Sequence, residues 1–357
     1  MQRALALADK ARGKTSPNPM VGALLVKGAE VVAEGYHKKA GTPHAEAVAL
    51  ARAGARAKGT TLYVNLEPCC HTDKKTLPCT DGIIRAGVKR VVAAMKDPNP
   101  KVSGRGFRKL RAAGIDVISG VLRQEALDLN RVFIRFITTG LPYVTLKVAQ
   151  SLDGKIATAN GRSKWITGPV SRRMVHRLRS ENQAVLVGAG TVKADDPSLT
   201  ARIRSGKNPI RIIVDGKLEI SSNSKVLTDG LAPTWIATVK SPKRGPVSPV
   251  LQKAAEILYV GGKNGKLDMK ELMREIGKRG VSSVLIEGGS GINAAVLRAG
   301  VINRVMFFIA PKIIGGRNAI PSVGGPGINL LEEAARLGSM SVTHTGADIL
   351  VEAELLG

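Results

Sequence analysis

At 357 residues the chain exceeds one ordinary domain and suits two. Hydrophobic residues make up 43% and aromatics only 3%, so each half can bury a core, built from Val, Ile, Leu and Ala. The net charge of +26 raises nucleic acid as a partner, but residues 1–145 carry 24 Lys and Arg against 11 Asp and Glu, and the remainder 30 against 17; charge spread so evenly, with no basic run, is a solvated surface able to steer anionic substrates, and no nucleic-acid partner is expected.

No stretch reaches the roughly 18–20 apolar residues of a membrane span. Residues 1–10 lack the apolar core of a signal peptide. No membrane partner and a cytoplasmic location are therefore expected. The three cysteines, Cys69, Cys70 and Cys79, share one short segment. An odd, clustered set in such a chain argues for metal or catalysis rather than disulfides.

In chain order, residues 20–26 and 30–35 read as two strands around a Lys27-Gly28 turn. An Ala-rich helix spans 44–54, with Pro43 before it and Gly54 as a stop. A strand over 60–66, a short helix over 79–87, a buried strand over 88–95, a helix over 105–114 and a strand over 115–118 follow. One helix over 124–137 leaves the domain. The boundary falls near Thr138-Thr139-Gly140-Leu141-Pro142, giving domains 1–141 and 142–357. The pattern then restarts, with strands over 143–149, 184–187, 210–215, 234–239, 281–286 and 305–310 and helices over 171–180, within 267–280 and over 294–300. Residues 216–226 and 240–248 read as loops. Both halves are α/β by this alternation.

His44-Ala45-Glu46 opens one helix, Glu67-Pro68-Cys69-Cys70-His71 follows a strand, and Cys79 opens the next helix. One His and two Cys form a three-ligand zinc set, which leaves a position open to water as catalytic zinc sites do. Glu46 is placed to shuttle a proton from water to a ring nitrogen and a leaving amine. Zinc deaminases carry this His-x-Glu plus Pro-Cys pattern. The nine residues 70–78 between Cys69 and Cys79 replace the Cys-x-x-Cys spacing of nucleic-acid deaminases and favour a nucleotide-sized substrate. The choice between Cys69 and Cys70 stays open on spacing; Cys69 is preferred because it directly follows Glu67-Pro68. Cys70 and His71 read as packed or supporting groups.

The second half has two glycine turns between strand and helix, Val187-Gly188-Ala189-Gly190-Thr191 and Glu287-Gly288-Gly289-Ser290-Gly291. Such turns let backbone N–H groups approach a phosphate, although neither completes a dinucleotide fingerprint.

The segments Pro17-Asn18-Pro19, Thr42-Pro43-His44-Ala45-Glu46, Leu66-Glu67-Pro68-Cys69 and Asp97-Pro98-Asn99-Pro100 resemble the deaminase domain of bacterial bifunctional riboflavin biosynthesis proteins. Ser151-Leu152-Asp153-Gly154-Lys155, Ser163-Lys164-Trp165-Ile166-Thr167, His176-Arg177-Leu178-Arg179, Asp195-Asp196-Pro197-Ser198-Leu199-Thr200 and Ala310-Pro311-Lys312 resemble the reductase domain of the same family. The resemblance implies a cytidine-deaminase-like layered α/β/α domain followed by a dihydrofolate-reductase-like α/β domain. It implies one zinc on His44, Cys69 and Cys79, with Glu46 as proton shuttle and Asn18 against the substrate ring. It places NADPH on Ala149, Trp165, Thr191, Asp195, Gly289, Ser290, Gly291, Ile292, Asn293, Ala294 and Ala295. Substrate falls on Ser163, Arg179, Leu199, Arg202 and Glu287, with Arg179 and Arg202 suited to a phosphate and Glu287 to ribose hydroxyls. Lys147 and Asp153 are candidate proton donors. The implied activities are hydrolytic deamination of a diaminopyrimidinone ribotide, then reduction of its ribosyl group to ribityl. The substrates are small phosphorylated pyrimidines, and a homo-oligomer is expected.

Overall fold

The computed structural model describes residues 1–70, 77–100, 102–204, 206–240 and 247–356. The chain forms two compact units, Met1–Gly140 and Leu141–Gly357. No helix among the described residues is long and apolar enough to cross a membrane.

The first unit runs α1 (Gln2–Asp9), β1 (Gly22–Lys27), β2 (Glu30–Tyr36), α2 (Ala45–Ala53), β3 (Thr61–Val64), α3 (Cys79–Arg85), β4 (Arg90–Ala93), α4 (Arg105–Ala112), β5 (Asp116–Ser119), α5 (Arg123–Leu129) and α6 (Arg131–Thr139). Its sheet has the order β2-β1-β3-β4-β5, with β1 antiparallel to both neighbours and β3, β4 and β5 parallel. Helix α2 lies directly on the sheet because Gly35 has no side chain. A Cβ there would stand 2.6 Å from Ala45 O and 2.8 Å from Ala49 N. Ala45, Ala49 and Ala53 form the buried face of α2, so the Ala-rich composition serves close packing. That contact fixes the start of α2, where His44 and Glu46 sit.

The predicted helix over 124–137 is two helices. Asn130 interrupts it at φ −102°, ψ 16°. Its side chain accepts from Met20 N at 2.8 Å and donates to Met20 O at 3.1 Å, a long-range demand that helical periodicity does not carry. Helix α1 was not expected from the sequence.

The second unit runs β6 (Tyr143–Ser151), β7 (Lys155–Ala157), α7 (Pro169–Glu181), β8 (Ala184–Gly188), α8 (Ala189–Asp195), β9 (Ile210–Val214), α9 (Lys225–Thr228), β10 (Thr234–Val239), α10 (Pro249–Ala254) and β11 (Glu256–Val260). Then come the hairpin β12 (Gly262–Lys263) and β13 (Lys266–Leu267), α11 (Met269–Lys278), β14 (Ser283–Ile286), α12 (Ser290–Arg298), β15 (Arg304–Ala310), β16 (Ile320–Pro321), β17 (Ser341–Thr345) and β18 (Asp348–Glu354). Nine strands form the sheet β11-β10-β9-β8-β14-β6-β15-β18-β17. The seven from β11 to β15 are parallel, and β18 and β17 close the edge antiparallel. A parallel sheet buried on both faces explains runs such as Ala184-Val185-Leu186-Val187, all at 0% exposure.

Two glycine turns are shorter than expected. Helix α8 begins at Ala189 and α12 at Ser290, so residues read as loop form first helical turns. The 216–226 loop ends in α9, and residues 241–246 of the second predicted loop lie outside the described residues.

Candidate active sites

In the first unit, His44, Cys69 and Cys79 converge from three separate places: the N-cap of α2, the loop after β3 and the first residue of α3. Their ligand atoms all lie within 4.8 Å of one another. His44 Nδ1 is 3.2 Å from Cys79 Sγ and 3.5 Å from Cys69 Sγ. The Cys69 thiol is pushed down to about 3, first by a hydrogen bond from Cys79 and, against burial, by His44. The same bond, with burial, holds the Cys79 proton tightly. One imidazole and two thiols at this spacing are a zinc donor set, with no fourth protein ligand in the cluster among the described residues. Cys70 is half-buried and outside the cluster; His71 lies outside the described residues.

Glu46 is 3% exposed in the first turn of α2. Burial, then the neighbouring Cys69, raises its pKa. Asn18 donates Nδ2 to His37 Nε2 at 3.2 Å, because His37 Nδ1 must carry the proton it gives to Pro43 O at 3.2 Å. The His37 ring stands edge-on to His44, with centroids 5.5 Å apart. His37 is buried and links Asn18 to the metal-ligand cluster; sequence reasoning gave it no role.

Glu67 is the other residue that reasoning passed over. Its carboxylate accepts the backbone N–H of Asp97 at 3.1 Å, Gly104 at 2.8 Å and Phe107 at 3.2 Å. It thereby ties the Glu67-Pro68-Cys69 strand end to the loop carrying Asp97-Pro98-Asn99-Pro100. Gly106 permits this approach, since a Cβ there would collide with Pro68 O. Glu67→Gln replaces an anionic acceptor with an amide that faces donors. It is expected to destabilise the first unit by about 1.5–3 kcal/mol. Urea unfolding measures the loss, and amide exchange at Asp97, Gly104 and Phe107 should accelerate.

In the second unit, a cleft of about 1420 Å³ opens at the carboxyl ends of the parallel strands. Every second-unit cofactor and substrate candidate lines it except Asn293. Asn293 is fully buried and donates Nδ2 to Ser322 O at 2.8 Å, because α12 has already begun and turns this residue inward. Arg179 lines the cleft with three of its N–H donors already engaged. Its Nε and Nη2 fork onto Glu287 at 2.6 and 3.0 Å, and its Nη1 donates to Thr200 O at 3.1 Å. Lys147 Nζ stands 3.8 Å from Glu287 Oε2. Burial lowers the Lys147 pKa, while Glu287 opposes the shift. Asp153 does not line the cleft. Its carboxylate takes the Ser151 hydroxyl at 2.6 Å and the N–H of Ile314 and Gly315 at 3.0 and 2.7 Å, and these bonds push it down to about 2. Asp153 is a loop clamp, not a proton donor.

Comparison with known proteins accords with this geometry. Residues 1–95 match the cytidine and deoxycytidylate deaminase zinc-binding region, and residues 142–351 match the RibD C-terminal domain. The riboflavin biosynthesis protein RibD of Aquifex aeolicus is 46% identical, over 98% of this chain and 96% of its own. RibD of Escherichia coli is 40% identical, over 98% and 96%. A Thermotoga maritima crystal structure described as a diaminohydroxyphosphoribosylaminopyrimidine deaminase/5-amino-6-(5-phosphoribosylamino)uracil reductase superposes with a TM-score of 0.89 at 38% identity, covering 100% of this chain and 97% of that one.

Proposed function

Since the chain belongs to the RibD family and is a bifunctional zinc-binding deaminase and reductase of riboflavin biosynthesis, we propose how its residues divide the work. The first unit removes an amino group from a diaminohydroxyphosphoribosylaminopyrimidine by hydrolysis. The second reduces the ribosyl group of the resulting aminouracil to ribityl with NADPH. The observation that carries this reading is the convergence of His44, Cys69 and Cys79 beside the buried carboxyl of Glu46.

Zinc held by those three residues would make hydroxide available near neutral pH. Glu46 takes one proton from the attacking water and delivers it to the ring nitrogen, then takes the second from the added hydroxyl and delivers it to the amino group, which leaves as ammonia while the carbonyl forms. Its raised pKa suits both directions of transfer. Asn18, fixed through His37, offers its amide to the pyrimidine ring.

A nicotinamide dinucleotide fits the second cleft. The first turn of α12 aims unspent backbone N–H groups into it, where a pyrophosphate is stabilised. Bound there, that cofactor would supply hydride to the ribosyl carbon. Glu287, oriented by Arg179, accepts from ribose hydroxyls, while Arg202 at the rim meets the phosphate. Lys147 is the proton source for the opened sugar, its pKa brought down by burial. The homo-oligomer implied by family resemblance is supported by the exposed edge strand β17 and the exposed Leu331, Met340 and Val342.

Chelation separates the two reactions. Removing zinc is expected to stop ammonia release from the pyrimidine ribotide. NADPH oxidation with the deaminated compound should continue. Persistence of ammonia release in metal-free protein would overturn the first assignment.

A further inference from the structure

The segment 163–167 forms one wall of the reductase cleft, and side chains from three other places pin it. Ser163 Oγ donates to Asp195 Oδ1 at 3.3 Å, and Lys164 Nζ lies 3.4 Å from the same oxygen. Lys312, just beyond β15, donates Nζ to Trp165 O at 2.7 Å. Arg172, in the first turn of α7, donates Nη1 to Thr167 O at 2.7 Å. The same guanidinium lies 4.6 Å from the centroid of the Trp165 ring.

Trp165 is nevertheless 62% exposed. A large ring held open to water forgoes the stabilisation that burial would bring. Here the carbonyls of Trp165 itself and of Thr167 are each held by a cation, and a guanidinium occupies one ring face. The other face is what the indole offers to the cleft it lines.

We infer that Arg172 and Lys312 are positioning residues that hold Trp165 as a preset platform for a planar ring of the nicotinamide dinucleotide. The inference rests on the reading that this cleft takes such a cofactor. Lys312 does not line the cleft; Arg172 does, with Nη1 given to Thr167 O and its guanidinium set against the indole. Both residues act through Trp165. Fixing the ring before binding removes an ordering cost that a mobile side chain would otherwise impose on affinity. Arginine suits the task because its planar head stacks and donates at once, which an ammonium does not do.

Tryptophan emission reads this directly. The chain has two tryptophans, and the other, Trp235 on β10, is 9% exposed. NADPH added to the full chain without substrate is expected to quench the Trp165 emission. Arg172→Leu and Lys312→Met should each shift the unliganded emission to the red and raise the NADPH Kd about five- to tenfold. The KM for NADPH should rise in step, with kcat at saturating NADPH changed less than the KM. Arg172→Lys should recover part of the affinity. A thermal unfolding transition checks that each variant is folded. If Arg172→Leu is not, Lys312→Met carries the test.

Wild-type Kd and emission in both Arg172→Leu and Lys312→Met, alongside weakened binding in Trp165→Phe, would overturn the positioning role alone. If the unaltered chain bound neither NADPH nor NADH, the cofactor reading itself would fall.

Discussion

Glu46→Gln is expected to keep one zinc per chain and to lower ammonia release about 10²- to 10⁴-fold, the range for removing a positioned general acid–base. The side chain is 3% exposed, so the amide replaces the carboxyl almost isosterically in a site closed to bulk water. The ligand atoms of His44, Cys69 and Cys79 lie within 4.8 Å of one another, and a glutamine can keep the hydrogen bond that Glu46 makes with Cys79, so metal content should be unaffected. What is lost is the capacity to accept a proton. The sign of the stability effect separates this from general damage. Burial raises the folded pKa of Glu46 above its ordinary 4.5. Ionising it therefore costs the native state stability as pH rises from the unfolded value toward the folded one. Glutamine removes that cost. As pH rises above the unfolded value, the metal-free variant should unfold at a temperature no lower than metal-free wild type. Zinc analysis, ammonia release and thermal unfolding on the same preparation check all three. Turnover within about fivefold of wild type, with zinc retained, would mean that another group moves the proton.

The deaminase ligands were legible because each stands at a strand end or helix start, places that local pattern marks well. Pro43 and Gly54 bracket α2, and Cys79 follows Pro78 at the head of α3. Glu67 was written in the same motif, but its three N–H partners lie 30 to 40 residues away; nothing local distinguishes a clamp from a surface carboxylate. Asp153 failed as a proton donor for a related reason. An acidic residue in a family block looks chemical until the chain folds back and presents the N–H groups of Ile314 and Gly315. The starts of α8 and α12 were missed because glycine is unfavourable inside helices. Gly190 and Gly291 occupy first turns all the same. Gly288 explains part of this: a Cβ there would lie 2.6 Å from Ile292 Cγ2, so the turn must be bare for the helix to begin so close to β14. Helix α1 was passed over although Ala4, Leu7 and Ala8 give it one buried face, while β17, exposed along nearly its whole length, offers no apolar alternation to read.

Replacing Glu287 is expected to have the largest effect in the second unit, because three charges are buried together there. Side-chain exposure is 9% for Glu287, 13% for Arg179 and 14% for Lys147. The carboxylate is the only anion of the triad, and the two cations flank it. Glu287→Gln leaves Arg179 and Lys147 facing each other across a neutral amide. Removing one partner from a buried ion pair costs about 3–5 kcal/mol, because an uncompensated charge remains. The loss should appear as a lower urea midpoint for the second unit. The pKa of Lys147 should fall further, since burial and Arg179 both disfavour its charge and Glu287 is what opposes them. The unfolding penalty should therefore shrink as pH rises and Lys147 gives up its proton. Reduction of the aminouracil is expected to fall by more than about 100-fold, the effect of losing a group that orients the reacting sugar. Ammonia release should persist, because the first unit draws on none of these residues. Arg179→Met makes the complementary case: Glu287 then keeps only Lys147, 3.8 Å away, and stability should fall while Lys147 holds its proton more firmly. If Glu287→Gln instead left both the urea midpoint and the reduction rate near wild type, the triad would be neither the buried charge centre nor the sugar-orienting group assigned to it.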